Sequence, residues 1–187
     1  MKLSEMVPNP RYCTDKDTTH TYLEVYDEFF EPYRDQENLK LLEIGNSGGG
    51  SIKLWLDYFP SVDIYGMEIN DLQELHELNN EYDNINITMG IDAYCDSSLE
   101  IAKANALYDI IIDDGSHLPT HQLYVINKYR YLLKKNGIMI VEDIQSVDLI
   151  SRILSVSDFS KNDRVQVFDR RNIKNRFDDI IMVIKKG

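Results

Sequence analysis

From residue 40 onward, short apolar runs alternate with longer amphipathic stretches, and that repeat limits the possible folds more than any other feature. The runs are 40–44 (KLLEI), 62–67 (VDIYGM), 85–89 (INITM), 108–113 (YDIIID) and 137–142 (GIMIVE). Most are nearly continuous in apolar residues, the pattern of strands buried on both faces. Helices are predicted between and after them, near 50–59, 70–82, 97–106, 117–135 and 146–156. Strands joined through helices run parallel, with right-handed crossovers.

The end of the chain breaks this rhythm. Residues 165–169 and 179–184 read as strands separated by only nine residues, too few for a helical crossover, so the pair is predicted to be antiparallel. Upstream, residues 20–31 carry Tyr22, Leu23, Val25, Tyr26, Phe29 and Phe30 near helical spacing. The predicted fold is α/β, a Rossmann-like seven-stranded, mostly parallel sheet with an antiparallel last strand and helices on both faces. No repeat, low-complexity tract or linker divides it. A single domain over 1–187 is expected, with a helical cap at 1–39 and the core at 40–187.

Charge narrows the partners. Acidic residues outnumber basic ones 32 to 20, giving a net charge of −12, whereas a nucleic-acid binder needs clustered Lys and Arg. The basic residues between Arg164 and Lys186 are interleaved with Asp and read as a solvated face. Cys13 and Cys95 form no metal-type Cys-x-x-Cys pair. The first residues lack the apolar stretch of a signal peptide, and no run is long enough to span a bilayer. A cytoplasmic protein acting on a small molecule is expected, with self-association into a homo-oligomer left open.

One set of candidate residues surrounds the first strand. Leu41–Ser51 reads as a buried strand, a glycine-rich turn and a helix start, at the strand end where open α/β sheets bind ligands. Such turns also serve packing alone. A dinucleotide fingerprint places a second glycine where this chain has Ser47. Glu43 suits a cationic ligand such as the amino-acid end of S-adenosylmethionine. Glu68, after the second strand, suits a ribose diol, which dehydrogenases recognise in the same way. Asp92 suits an adenine amino group or, equally, the cap of the next helix. Gly45, Asn46, Gly49, Ser51, Ile69 and Asp113 complete the expected cofactor contacts, and Lys16 and His20 are expected to close over them from the cap.

A second set closes strands four and five: Asp113-Asp114-Gly115-Ser116-His117 and Glu142-Asp143. Three acids meeting at neighbouring strand tips repel unless neutralised, and a hard divalent cation does this. Capping of the following helices is the competing explanation. His117 and His121 are predicted on one face of the helix at 117–135, with His117 as general base and His121 in a supporting role. Arg170 and Arg171, before the last strand, are candidates to meet an anionic acceptor.

At these residues the chain resembles the metal-dependent sugar O-methyltransferases of antibiotic biosynthesis, the macrocin and rhamnosyl O-methyltransferase group; catechol O-methyltransferase is a more distant likeness. The resemblance runs through Thr14-Asp15-Lys16, His20-Thr21-Tyr22, Leu41–Gly45, Trp55, Phe59-Pro60, Ile64–Glu68, Asp113–His117, Glu142-Asp143 and Arg176–Asp179. It implies a class I methyltransferase that transfers a methyl group from S-adenosylmethionine to a sugar hydroxyl. It further implies Mg²⁺ or Mn²⁺ held by Asp114, Glu142 and Asp143, with His117 as base. Asp17 stands where the group often has glycine, and Glu68 where it usually has Asp. The additional domain of some antibiotic enzymes is not expected here. A catechol-type phenol acceptor, an NAD-dependent oxidoreductase and a binding-only protein are the alternatives; Ser47 and the two acid clusters speak against the oxidoreductase.

Overall fold

The computed structural model describes residues 1–187. Its strands are β1 (Leu39–Ile44), β2 (Val62–Glu68), β3 (Ile85–Met89), β4 (Tyr108–Asp113), β5 (Leu133–Val141), β6 (Arg164–Asp169) and β7 (Ile180–Lys185). They form one sheet in the order β3-β2-β1-β4-β5-β7-β6. β1 pairs in parallel with β2 and β4, β2 with β3, and β4 with β5. β7 lies antiparallel between β5 and β6. The short connection before the last strand thus produces the reversal its length demands.

The helices are α1 (Leu3–Met6), α2 (Asp15–Thr18), α3 (Leu23–Phe30), α4 (Gly50–Tyr58), α5 (Gln73–Glu81), α6 (Asp96–Asn105), α7 (Pro119–Lys128), α8 (Val147–Val156) and α9 (Arg171–Lys174). The pleat of the strands sorts their side chains between two cores. Leu39 and Leu41 of β1 join Leu23 and Phe30 of α3 and Ile52 and Trp55 of α4 on one face. Leu42 and Ile44 join Val125 of α7 and Leu149 of α8 on the other. Each such side chain contributes about 1.5–3 kcal/mol when fully buried, which is why a strand with no polar face is stable here. No helix is long and apolar enough to cross a membrane.

Three boundaries differ from the sequence expectation. The cap helix begins at Leu23, so Lys16 and His20 precede it, Lys16 in α2 and His20 in the loop that follows. The helix predicted over 117–135 is shorter: Pro119 opens α7, and Leu118 before it is extended at φ −71, ψ 133. Proline disfavours helical backbone in the residue before it and is preorganised for the first helical position. His117 therefore lies in a loop, not one helical turn from His121. Finally, β5 starts at Leu133 and shifts register against β4 before Ile138.

The chain runs outward from β1 to β3, then returns to β4 on the other side of β1. Ile44 pairs with Asp113, and Asp113 with Val141. The loops following β1, β4 and β5 leave the sheet side by side at this switch point, where open α/β sheets bind ligands.

Candidate active site

The turn after β1 is shaped by close approach. Gly45 has φ +81, and a Cβ there would lie 2.1 Å from the Asp114 carbonyl oxygen. Glu68 holds the turn from the other side. Its Oε2 accepts from the backbone N–H of Asn46 and of Ser47, both at 2.9 Å. Its Oε1 accepts from Asn70 N at 3.0 Å and Asn70 Nδ2 at 2.9 Å. Burial opposes ionisation, but these donors outweigh it and keep the Glu68 pKa below its ordinary value.

Beneath the turn, Glu43 Oε2 accepts from Ser51 Oγ and Trp55 Nε1, each at 3.0 Å. Its Oε1 lies 3.6 Å from Lys16 Nζ. Glu43 does face a cation, as its position suggested, but the cation is the protein's own. Burial pushes Glu43 up to about 7 against the pull of Lys16.

Lys16 is wholly buried and joins the acids of the next strands. Its ammonium lies 2.5 Å from Asp114 Oδ2 and 2.7 Å from Glu142 Oε1, and Tyr26 also donates to Glu142 Oε1. Burial works against the ammonium, yet the charges of Asp114, Glu142 and Glu43 hold its pKa well above the ordinary lysine value. Burial pushes Glu142 up strongly, with Asp114 adding to the effect. For Asp114 burial is outweighed by Lys16, and its pKa is lowered.

The other oxygen of Asp114 faces His117. The imidazole bridges two acids, with Nε2 3.3 Å from Asp114 Oδ1 and Nδ1 3.4 Å from Asp143 Oδ2. Burial acts to lower the His117 pKa, but the hydrogen bond to Asp114 and the charge of Asp143 leave it raised. Asp143 is itself raised, mainly by burial, although Tyr22 donates to its Oδ1 at 2.6 Å. Ser47, His117 and Asp143 all have positive φ, at 44, 57 and 54. Left-handed backbone in residues other than glycine collects at sites where geometry is held for function.

Asp114, His117 and Asp143 each offer a ligand atom within 4.8 Å of the others. Two carboxylates beside an imidazole fit a hard divalent cation on the oxygens, with the nitrogen left for proton transfer. The Glu142 carboxylate, next in sequence to Asp143, shares Lys16 with Asp114 and also accepts from Tyr26.

Both ends open into one cavity of about 840 Å³. Gly45, Asn46, Ser51, Glu68, Ile69 and Asp92 line it as expected for cofactor contacts, and Asp114 and His117 line its far end. Lys16, His20, Glu43, Gly49 and Asp113 do not lie on its wall. Lys16 and Glu43 are fully buried beside Asp114 and Glu142. His20 stacks on Tyr22, with Nδ1 3.1 Å from Asp143 Oδ1. Gly49 packs on α5, where a Cβ would lie 2.5 Å from Leu78 Cδ1. Asp113 accepts from Tyr94 at 3.0 Å, and burial pushes it up to about 7.

Asp92 accepts from Tyr94 N instead of capping α6 through its side chain. His121 stacks on Tyr94 and lies 2.7 Å from Ser116 Oγ, also on the wall. Arg170 is committed to Thr21 and Glu24, and Arg171 to Asp169. Sequence reasoning missed Tyr26 and Tyr94. Tyr26 follows Tyr22 by four residues, so both reach the acids from one helical face, but the same spacing equally describes a packing stripe.

The sheet order, the reversed β7 and a ligand cavity at the β1/β4 switch point make this a class I S-adenosylmethionine-dependent methyltransferase fold. No protein-family model matches the chain. Two curated relatives are similar in sequence. The 8-demethyl-8-alpha-L-rhamnosyl tetracenomycin-C 2'-O-methyltransferase of Streptomyces olivaceus is 31% identical over 143 residues, covering 73% of this chain and 36% of the relative. The mycinamicin VI 2''-O-methyltransferase of Micromonospora griseorubida is 32% identical over 150 residues, covering 76% and 36%. The MycE methyltransferase of mycinamycin biosynthesis, solved with Mg and SAH, superposes with a TM-score of 0.77 at 25% identity, over 100% of this chain and 55% of that one. The chain belongs to this sugar O-methyltransferase group. It spans about a third of the length of the curated relatives it matches.

Proposed function

We propose that the chain is an S-adenosylmethionine-dependent O-methyltransferase that uses Mg²⁺ or Mn²⁺ and acts on a hydroxyl of a sugar or sugar-containing small molecule. The observation that carries this reading is the continuity of the cavity: one space runs from Glu68 and the glycine turn to Asp114 and His117. Its size suits a ligand of nucleoside dimensions, with room beside the acids. The relatives named above methylate sugar hydroxyls by their names, and the superposed enzyme was solved with Mg and SAH.

When bound, S-adenosylmethionine supplies an activated methyl group, and a divalent cation supplies positive charge that makes a nearby hydroxyl more acidic. Glu68 and Asn46 mark the ribose end, where a diol offers Glu68 Oε1 the same two donors that Asn70 now provides. Asp92 and Ile69 mark the adenine end. Asp114, Glu142 and Asp143 are the residues that would hold the cation. His117 accepts the acceptor proton, because it is the imidazole beside both Asp114 and Asp143 that also reaches the cavity. His20 also touches Asp143 but is buried away from the cavity. The net charge of −12 favours a neutral acceptor over a phosphate-rich one, and we place the reaction in the cytoplasm.

The test is methyl transfer from labelled S-adenosylmethionine to a panel of rhamnosides and other hexosides, using protein stripped of metal. Product that forms only after Mg²⁺ or Mn²⁺ is restored supports the reading. Undiminished turnover in excess EDTA removes the metal from it, and calorimetry that detects NAD but not S-adenosylhomocysteine removes the cofactor.

A further inference from the structure

The segment Arg176-Phe177-Asp178-Asp179 closes the connection from β6 to β7, and it is firmly held. The Arg176 guanidinium donates to both carboxylate oxygens of Asp178, at 3.1 and 3.0 Å. Asp179 is fully buried and accepts from Thr21 N at 3.2 Å and Thr21 Oγ1 at 2.8 Å. Its carbonyl oxygen accepts from Arg170 N at 2.8 Å. Among these fixed neighbours Phe177 is 66% exposed. A single apolar residue in water needs no explanation, but Phe177 shares its edge of the sheet with others. Leu118 and Val147 are also exposed, on the connections that follow β4 and β5. Leu118 directly follows His117, and Val147 follows Asp143 by four residues. Ile144 N donates to Ile180 O at 3.0 Å, which sets the chain just after Phe177 beside the chain just after Asp143. None of the three apolar residues lines the cofactor cavity. The apolar edge thus lies outside the space assigned to the methyl donor, next to the proposed base.

A pyranose ring carries hydroxyls around its rim and C–H bonds on its faces. The rim suits acids and an imidazole, whereas a C–H face needs a flat apolar partner. An aromatic ring supplies one, because its negative face attracts the positively polarised hydrogens. We infer that Phe177 is an acceptor-binding residue, its ring covering a C–H face of the sugar while a hydroxyl of that sugar reaches His117. The inference rests on the sugar O-methyltransferase reading above, and it deepens that reading by naming a residue that grips the acceptor. Covering the ring also removes from water an apolar surface that folding leaves there. The loop suits such a role, since a tied backbone and a side chain with two rotatable angles lose little freedom on binding.

The experiment is steady-state methyl transfer to methyl α-L-rhamnopyranoside and the other hexosides of the panel, at saturating S-adenosylmethionine and Mg²⁺. Calorimetry with S-adenosylhomocysteine and a measurement of Tm accompany it. Phe177→Ala is expected to raise the acceptor KM at least about tenfold, the loss that follows from removing a covered Phe side chain. Its kcat is expected to change by less than about threefold, the pattern of lost substrate binding. Phe177→Trp keeps a flat ring and is expected to hold KM within about threefold of the original. The split between KM and kcat is the signature, since a purely structural role would also move Tm and cofactor affinity. An acceptor KM that Phe177→Ala leaves unaltered overturns the inference, and so does a rise in KM accompanied by weaker S-adenosylhomocysteine binding. Failure of the unmodified protein to methylate any hexoside while it binds S-adenosylhomocysteine overturns the sugar O-methyltransferase reading itself, and the role of Phe177 with it.

Discussion

The carbonyl oxygen of Asp114 lies 2.1 Å from where a Cβ on Gly45 would begin, and the Asp114 N–H donates to Ile44 O at 2.9 Å. The turn that walls the cofactor cavity and the loop that starts the acid cluster are thus packed backbone against backbone. Gly45→Ala must relieve that overlap and also strain a left-handed position, which alone costs about 1–2 kcal/mol. We expect it to weaken binding of S-adenosylhomocysteine and of Mn²⁺ together. Calorimetry with each ligand checks this, and loss of one affinity with the other intact contradicts the coupling.

His117 and Asp114 are expected to separate chemistry from binding. His117→Gln keeps a polar side chain but removes the base, and kcat should fall by about 10²–10⁴-fold with S-adenosylhomocysteine affinity nearly unchanged. Asp114→Asn should abolish the response of turnover to added Mg²⁺ while the cofactor still binds. Single-turnover assays beside calorimetry make the distinction. A His117→Gln enzyme with ordinary kcat would assign the proton to another group.

Tyr22 supports Asp143 from the cap, donating to Oδ1 at 2.6 Å. Tyr22→Phe leaves a buried carboxylate short of a donor and is expected to cost about 1.5–3 kcal/mol, the range for hydrogen bonds to charged groups. A fall in Tm accompanied by weaker Mn²⁺ binding is the expected pair of results. An unchanged Tm would mean that Asp143 is held without the cap.

The lowered pKa of Glu68 sets the sign of a pH effect. Its stabilising contribution is complete above the ordinary carboxylate value of 4.5 and is lost as pH falls through the lower folded value. Denaturant unfolding of the unmodified protein and Glu68→Gln should therefore differ most near neutrality. The two curves should converge in acid, below pH 4.5. A difference that stays constant with pH contradicts the role given to the ionised carboxylate.

The sheet was readable because the strands are short, mostly apolar runs separated by helical stretches and the link between β6 and β7 is too short to cross over. The loop before α7 was less so. Asp113 to His117 looked like a helix start, but Pro119 opens α7 and the extended Leu118 before it leaves His117 outside the helix. Acid convergence was legible from strand order, but the lysine within it was not. Lys16 and Glu142 are 126 positions apart, and no local pattern in sequence reports that the two will meet. The same holds for Tyr94, which fills the space left by Gly115: a Cβ there would lie 2.0 Å from the Tyr94 hydroxyl oxygen.

The central claim is that a divalent cation and the methyl donor share one cavity, and a crystal of the chain with S-adenosylhomocysteine and Mn²⁺ tests it most directly. The account requires an anomalous peak between the carboxylates of Asp114 and Asp143, beside His117, with the thioether sulfur in the same cavity. S-adenosylhomocysteine bound over the glycine turn with no manganese at those acids would contradict it.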